Sequence, residues 1–177
     1  MKNSNFQIFP EKINNKDAID KLYDDVFGKD RKKRSVYNLR TGKKVSDLCF
    51  VIKKDGNDIY ACIRFWLIRI GLQDGLLLGP LAVRNDLRGH GLGSKLINYS
   101  LKCAKLKNFN FCFVSGEEDY YPKFGFQKID SKKLILPGDL NFCPSRVSDE
   151  CYCYMVSICF IDYSHLFVYP QAGFLLS

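Results

Sequence analysis

Apolar residues along this chain switch between two periods. Ile19, Leu22, Tyr23, Val26 and Phe27 recur at three- and four-residue intervals, the spacing of one helix face. Asn14 or Asn15 supplies a cap and Gly28 a stop. Ahead of that helix, residues 6–9 read as a short strand. Residues 29–47 are basic and polar, broken by Gly42, and read as a loop with room for a short helix. From residue 48 the pattern shortens. Residues 48–52 and 59–70 read as strands joined by the hairpin chemistry of KKDGND, and Asp74-Gly75 marks a second turn before a strand over 76–83. The helical period then returns, with Leu92, Leu96, Ile97, Ser100, Cys103 and Ala104 on one face and Lys95, Asn98, Lys102 and Lys105 on the other. Residues 111–115 make the next strand. Because a helix intervenes, that strand can run parallel to the one ending at Val83. A helical turn over 120–124 and strands near 126–129, 134–136 and 151–160 complete the body. The pattern predicts an α/β fold of the α+β type, one domain over 1–177, with a core at about 48–160 and a tail from 161 to 177.

Composition narrows this picture. With 46% hydrophobic and 26% charged residues in 177, the chain can bury a real core and does not read as disordered. Its 27 basic against 19 acidic residues give a net charge of +8, which favours an anionic partner such as nucleic acid, a membrane surface or a phosphorylated cofactor. Much of the excess lies in Arg31-Lys32-Lys33-Arg34 and Lys43-Lys44, which read as a solvated face. Eight cysteines occur without a C-x-x-C pair, and the histidines are His90 and His165 alone. No zinc spacing results, and no metal is expected. Most of the cysteines lie in apolar runs, as reduced core thiols of a cytoplasmic protein do. MKNSNFQIFPEKINNKD lacks the apolar core of a signal peptide, and Arg64, Arg69 or Asp162 interrupts the longest apolar runs, so no membrane span is expected.

The candidate chemistry sits at the second return to helical period, RNDLRGHGLGSKL (84–96). Gly89, Gly91 and Gly93 lie between a strand and a helix, where the free N–H groups and positive dipole of the helix start favour an anion. Glycines let a phosphate approach the main chain, and Arg88 adds a guanidinium. The dinucleotide fingerprint fails because residue 94 is Ser, and the P-loop pattern fails at Ser94 and Leu96. The pattern R-x-x-G-x-G is met by Arg88, Gly91 and Gly93.

That loop, the preceding GPLAV (79–83) and the later YYPKFGF (120–126) together resemble the GCN5-related N-acetyltransferases, over about 48–160 and most strongly over 76–126. The resemblance implies a mixed, largely antiparallel sheet of about six to seven strands with flanking helices. It implies a bulge at Gly79-Pro80 and a splay between the strand ending at Val83 and the strand at 111–115, where the pantetheine arm of acetyl-CoA lies. Leu81, Ala82, Val83, Arg88, Gly89, His90, Gly91, Leu92, Gly93 and Ser94 are then the cofactor-binding residues, with His90 acting through its backbone.

Acetyl transfer to an amine by direct attack in a ternary complex needs a neutral amine, a donor for the oxyanion and a proton for the leaving thiolate. The Val83 N–H suits the oxyanion. Tyr121, four residues before Gly125, takes the family's place for the general acid, with Tyr120 the fallback. Glu117, beside Glu118 and Asp119, is a candidate base or solvated loop. The expected function is an acetyl-CoA-dependent N-acetyltransferase acting on a small molecule or a protein amine. A non-catalytic acyl-CoA sensor is the second reading, and a nucleic-acid binder using 29–44 the third. The aromatic tail covers the body, lines the acceptor site or joins a homodimer.

Overall fold

The computed structural model describes residues 5–33, 37, 40, 42–54, 56–70, 73–117 and 119–128, and the backbone of 151–157. Strands β1 (Gln7–Pro10), β2 (Phe50–Lys53), β3 (Ile59–Ile70), β4 (Gln73–Val83), β5 (Phe111–Glu117), β6 (Gln127–Lys128) and β7 (Cys151–Ser157) form a sheet of order β1-β2-β3-β4-β5-β7-β6. Every neighbouring pair is antiparallel except β4–β5, which is parallel. Helix α1 (Lys16–Phe27) and helix α2 (Leu92–Leu106) cover opposite faces. The mixed, largely antiparallel sheet with flanking helices is as expected.

Strand alternation explains the two cores. Phe50 and Ile52 of β2 and Ala61, Ile63 and Phe65 of β3 point to Leu92, Leu96, Ile97 and Ala104 of α2. Val51 and Cys62, one step out of phase, meet Ile19, Leu22 and Tyr23 of α1. Each large side chain so buried contributes on the order of 1.5–3 kcal/mol.

β4 obeys the alternation only with one interruption. Leu76 and Leu78 face α2, yet Ala82 faces α1 while Leu81 and Val83 pack on the α2 side. The register supplies the cause. From Ile63↔Leu81 to Phe65↔Leu78, β3 advances two residues and β4 three. The extra residue at Gly79-Pro80 is the expected bulge, and it exchanges the faces of everything after it.

Two expectations need correction. Asp74-Gly75 is not a turn: Asp74 pairs with Arg69 and Gly75 with Ile68, so β4 starts at Gln73. Gly75 is needed because a Cβ there would fall against the ring of Phe111. Residues 29–47 do carry short helix, as 3₁₀ turns at Lys29–Lys33 and Ser46–Leu48. Arg31 is not part of a solvated face. It is buried, donates from Nε to Asp24 at 2.7 Å and from Nη2 to Asp20 at 3.3 Å, and lies over the Tyr23 ring. Lys32 and Lys33 are exposed as predicted, and Arg34 lies outside the described residues.

The buried cysteines behave as core residues. Cys49, Cys62 and Cys112 are free and buried, and burial pushes the Cys49 thiol up to about 11 and the Cys62 thiol up to about 12. The expected strand at 134–136, Glu118, Cys143, Cys159 and the tail with His165 lie outside the described residues.

Candidate functional site

β4 and β5 pair only at Leu76↔Cys112 and Leu77↔Phe113. β4 then runs on to Val83 and β5 to Glu117 without pairing each other, so the two strands part. On its other side β4 stays on β3, where the N–H of Arg84 donates to the Tyr60 carbonyl at 2.9 Å. Strand N–H groups alternate in direction. Ala82 therefore faces β3, as Arg84 does, whereas Leu81 and Val83 turn their main-chain groups into the gap.

The gap ends at the glycine loop. Gly89 and Gly91 have φ of +81 and +76, and Gly91 is the residue preceding α2. A Cβ on either would meet nothing within 4 Å, so both are glycine for backbone angle rather than for lack of room. No side chain caps α2, and its first turn holds no acidic residue. Its first N–H groups and its positive dipole therefore face an uncompensated end. Arg84 is held by Asp86 at 3.0 and 2.6 Å, while Arg88 is exposed and has no ion pair among the described residues. His90 turns its Nδ1 to the Arg88 carbonyl at 3.1 Å, which leaves the ring a part of the loop.

The two tyrosines go to different places. A Cβ on Gly93 would lie 2.5 Å from the Tyr120 hydroxyl, so that glycine admits Tyr120 to the first turn of α2. Burial raises the Tyr120 pKa and Glu117 adds to this, against a hydrogen bond to Ser94 that lowers it. Tyr121 is buried, edge-on to Phe126, and a Cβ on Gly116 of β5 would strike its ring. Burial lowers the Arg40 pKa, and Tyr37, Tyr23 and, least of these, Tyr121 act against it. Tyr121 thus lies at the wall where β5 leaves β4, and Tyr120 at the glycine loop. Glu117, the exposed last residue of β5, stands near Tyr120.

Sequence reasoning missed the far side of the gap. Arg40, from the stretch read as loop, lies over the Tyr37 ring at 4.4 Å from its centroid. A Cβ on Gly79 would come 2.8 Å from Arg40 Nη2, and Gly79 has φ of +135, so this position is glycine on two counts. The bulge is fixed from β3 and α1: Trp66 Nε1 donates to the Gly79 carbonyl at 2.8 Å and Tyr23 to the Pro80 carbonyl at 3.4 Å. Nothing local in the sequence marks Arg40. Among the described residues there is no cluster able to hold a metal ion, and no helix is long and apolar enough to cross a membrane.

Comparison with known proteins agrees with this architecture. Residues 46–128 match the family model "Acetyltransferase (GNAT) domain". An uncharacterized N-acetyltransferase of Escherichia coli strain K12, YjhQ, is 37% identical over 51 residues, which is 29% of this chain and 28% of that protein's length. Among solved structures, the E. coli GNAT family N-acetyltransferase YhbS in complex with CoA superposes with a TM-score of 0.70 at 21% identity, over 87% of this chain and 82% of that one. A Brucella melitensis GNAT family acetyltransferase in complex with acetyl-CoA gives 0.58 at 24% identity, over 70% and 84%. Over residues 46–128, this chain is thus similar to the GNAT acetyltransferase domain.

Proposed function

We propose that the chain transfers an acetyl group from acetyl-CoA to a primary amine by direct attack in a ternary complex. The observation that carries this reading is the continuity of one gap. At one end are two left-handed glycines, an uncapped helix start and an unpaired Arg88; along its length the Leu81 and Val83 main-chain groups lack a strand partner on the β5 side. A phosphate-bearing, amide-bearing thiol ester has a counterpart for each part. That the E. coli and Brucella proteins of the same fold were crystallised with CoA and acetyl-CoA supports it.

In this reading Gly89 to Ser94 hold the pyrophosphate through main-chain N–H groups, and Arg88 pairs with its oxygens. Leu81 and Val83 bond the pantetheine amides, and the Val83 N–H steadies the oxyanion. Ala82 contributes by fixing the strand on β3. The co-substrate brings an activated thioester, and the chain's task is to place it and move two protons. Tyr121 is the better acid, because it stands where the strands part, and Tyr120 serves the phosphate end instead. Glu117 takes the amine's proton through water.

The test measures acetyl-CoA binding by thermal shift, and turnover against a panel of amines. Saturating acetyl-CoA at a hundred times its Kd should stabilise the chain by about 2.7 kcal/mol. Binding without turnover of any amine would leave the sensor reading. Absence of binding would sink both.

A further inference from the structure

The described part of the chain carries several buried or half-buried arginines, and all but one are matched by carboxylates. Arg31 has Asp20 and Asp24; Arg64 has Glu11, at 2.8 and 2.9 Å. Arg40 has no carboxylate partner among the described residues, and its Nε is buried with no hydrogen-bond partner. The carbonyls of the bulge accept from other side chains, Gly79 from Trp66 and Pro80 from Tyr23. Arginine does not escape by losing its proton. A buried donor left unmade costs about 1–3 kcal/mol, more on a charged group. Tyr37 offsets part of this through the face of its ring, yet Nε itself stays unmet.

The position gives the unmade bond a meaning. Arg40 meets β4 at Gly79, inside the bulge and just past the last β4–β5 pair. Four residue steps lead from Gly79 to Val83, roughly 13 Å at 3.3 Å per residue. The glycine loop and Arg40 therefore mark opposite ends of one gap, with Tyr121 packed on Gly116 of the facing strand. The phosphates belong at the loop, so the cation at the other end serves the other substrate.

We propose that Arg40 is the acceptor-recognition residue of this site, and that the acceptor is an amine carrying a carboxylate, as a free amino acid does. A planar guanidinium with an unmet Nε and a neighbouring Nη matches the two oxygens of a carboxylate in one fork. This inference rests on the acetyltransferase reading of the same gap. A carboxylate fixed there presents an adjacent amine toward Tyr121 and the Leu81–Val83 edge. An uncharged amine gains no such hold.

The experiment compares free L-amino acids with their carboxamides as acceptors of the full chain, and measures binding of the N-acetyl amino acids by ligand-observed NMR. In the parent, kcat/KM should favour the acid over its amide by about 10- to 100-fold, the factor expected of a charge-assisted pair. Arg40→Gln should bring that ratio to about 1 while acetyl-CoA still produces its thermal shift. Arg40→Lys, which keeps the charge and loses the fork, should recover only part of the preference. If the parent takes amides as readily as acids, or if Arg40→Gln keeps the preference, the inference is wrong. Equal losses on acids and amides in Arg40→Gln would also overturn it, and would place the guanidinium on the thioester. Should N-acetyl amino acids bind through Arg40 while no acetyl transfer occurs, carboxylate recognition at Arg40 stands and both its acceptor role and the enzymatic reading fall. Transfer to uncharged amines, indifferent to Arg40, would keep the enzymatic reading and overturn the inference.

Discussion

The two ends of the β4–β5 gap are built by opposite means. At the glycine loop the working parts are main-chain atoms: Gly89 and Gly91 take left-handed angles with empty space around them, and Arg88 stands exposed. At the bulge the working parts are side chains packed against one another: Arg40 on Tyr37, Arg40 against Gly79, Tyr121 against Gly116. The first end is shaped to receive a ligand every member of a fold could share, because any sequence with those glycines makes it. The second depends on particular large side chains brought from distant positions. On the proposed reading, a general co-substrate takes the first and a selected acceptor the second.

The strongest way to break this comparison is at Tyr121. If its hydroxyl delivers the proton to the leaving thiolate, Tyr121→Phe should lower kcat by about 10²–10⁴-fold, with acetyl-CoA affinity nearly unchanged. Tyr120→Phe should do much less to kcat. Full activity in Tyr121→Phe would remove chemistry from the bulge end. Next in size is Gly91→Asp, which puts a carboxylate beside the phosphate end at φ +76. The stabilisation of about 2.7 kcal/mol by acetyl-CoA at a hundred times the parent's Kd should disappear. An unchanged thermal shift would show that phosphates sit elsewhere.

Smaller effects sharpen the contrast. Arg31→Gln, which also frees the Tyr37 hydroxyl, should cost about 1–3 kcal/mol in chemical denaturation, the loss of charged hydrogen bonds moderated by half-exposed Asp20 and Asp24. Its acetyl-CoA affinity should equal the parent's. The same Gly→Ala change then reads differently at two sites. Gly116→Ala forces the Tyr121 ring aside, at about 1–3 kcal/mol for overpacking, and should depress turnover. Gly89→Ala meets open space and should cost only the left-handed angle, about 1–2 kcal/mol. If Gly116→Ala is silent in turnover and Gly89→Ala is not, the comparison fails.

What the sequence disclosed follows the same division. Gly89, Gly91 and Gly93 are close enough together, and unusual enough between a strand and a helix, to be read as a ligand loop. The helix periods and most strand periods were equally legible, because each rests on near neighbours. Gly75 misled as a turn signal, since its reason is the ring of Phe111 far along the chain. Arg31 was lost inside a charge run because its partners, Asp20 and Asp24, lie on the preceding helix face. Arg40 was invisible for the same cause in stronger form: Tyr37 is near in sequence, but Gly79 and Tyr121 are not.

The single extra residue at Gly79-Pro80 behaves like a frameshift in the code of faces. Upstream, even-numbered β4 residues belong to the α2 core; downstream, odd-numbered ones do. Removing one residue there would restore one regular frame along the whole strand. Leu81 and Val83 would keep the α2 side in that frame, and what would be lost is the bend that the extra residue puts into β4. Removing one residue from the KKDGND hairpin would shift no frame beyond its own turn. Length variation should therefore be tolerated in that hairpin, whereas at the bulge it should straighten β4 where it parts from β5, although the bulge adds no side chain of its own to the proposed chemistry.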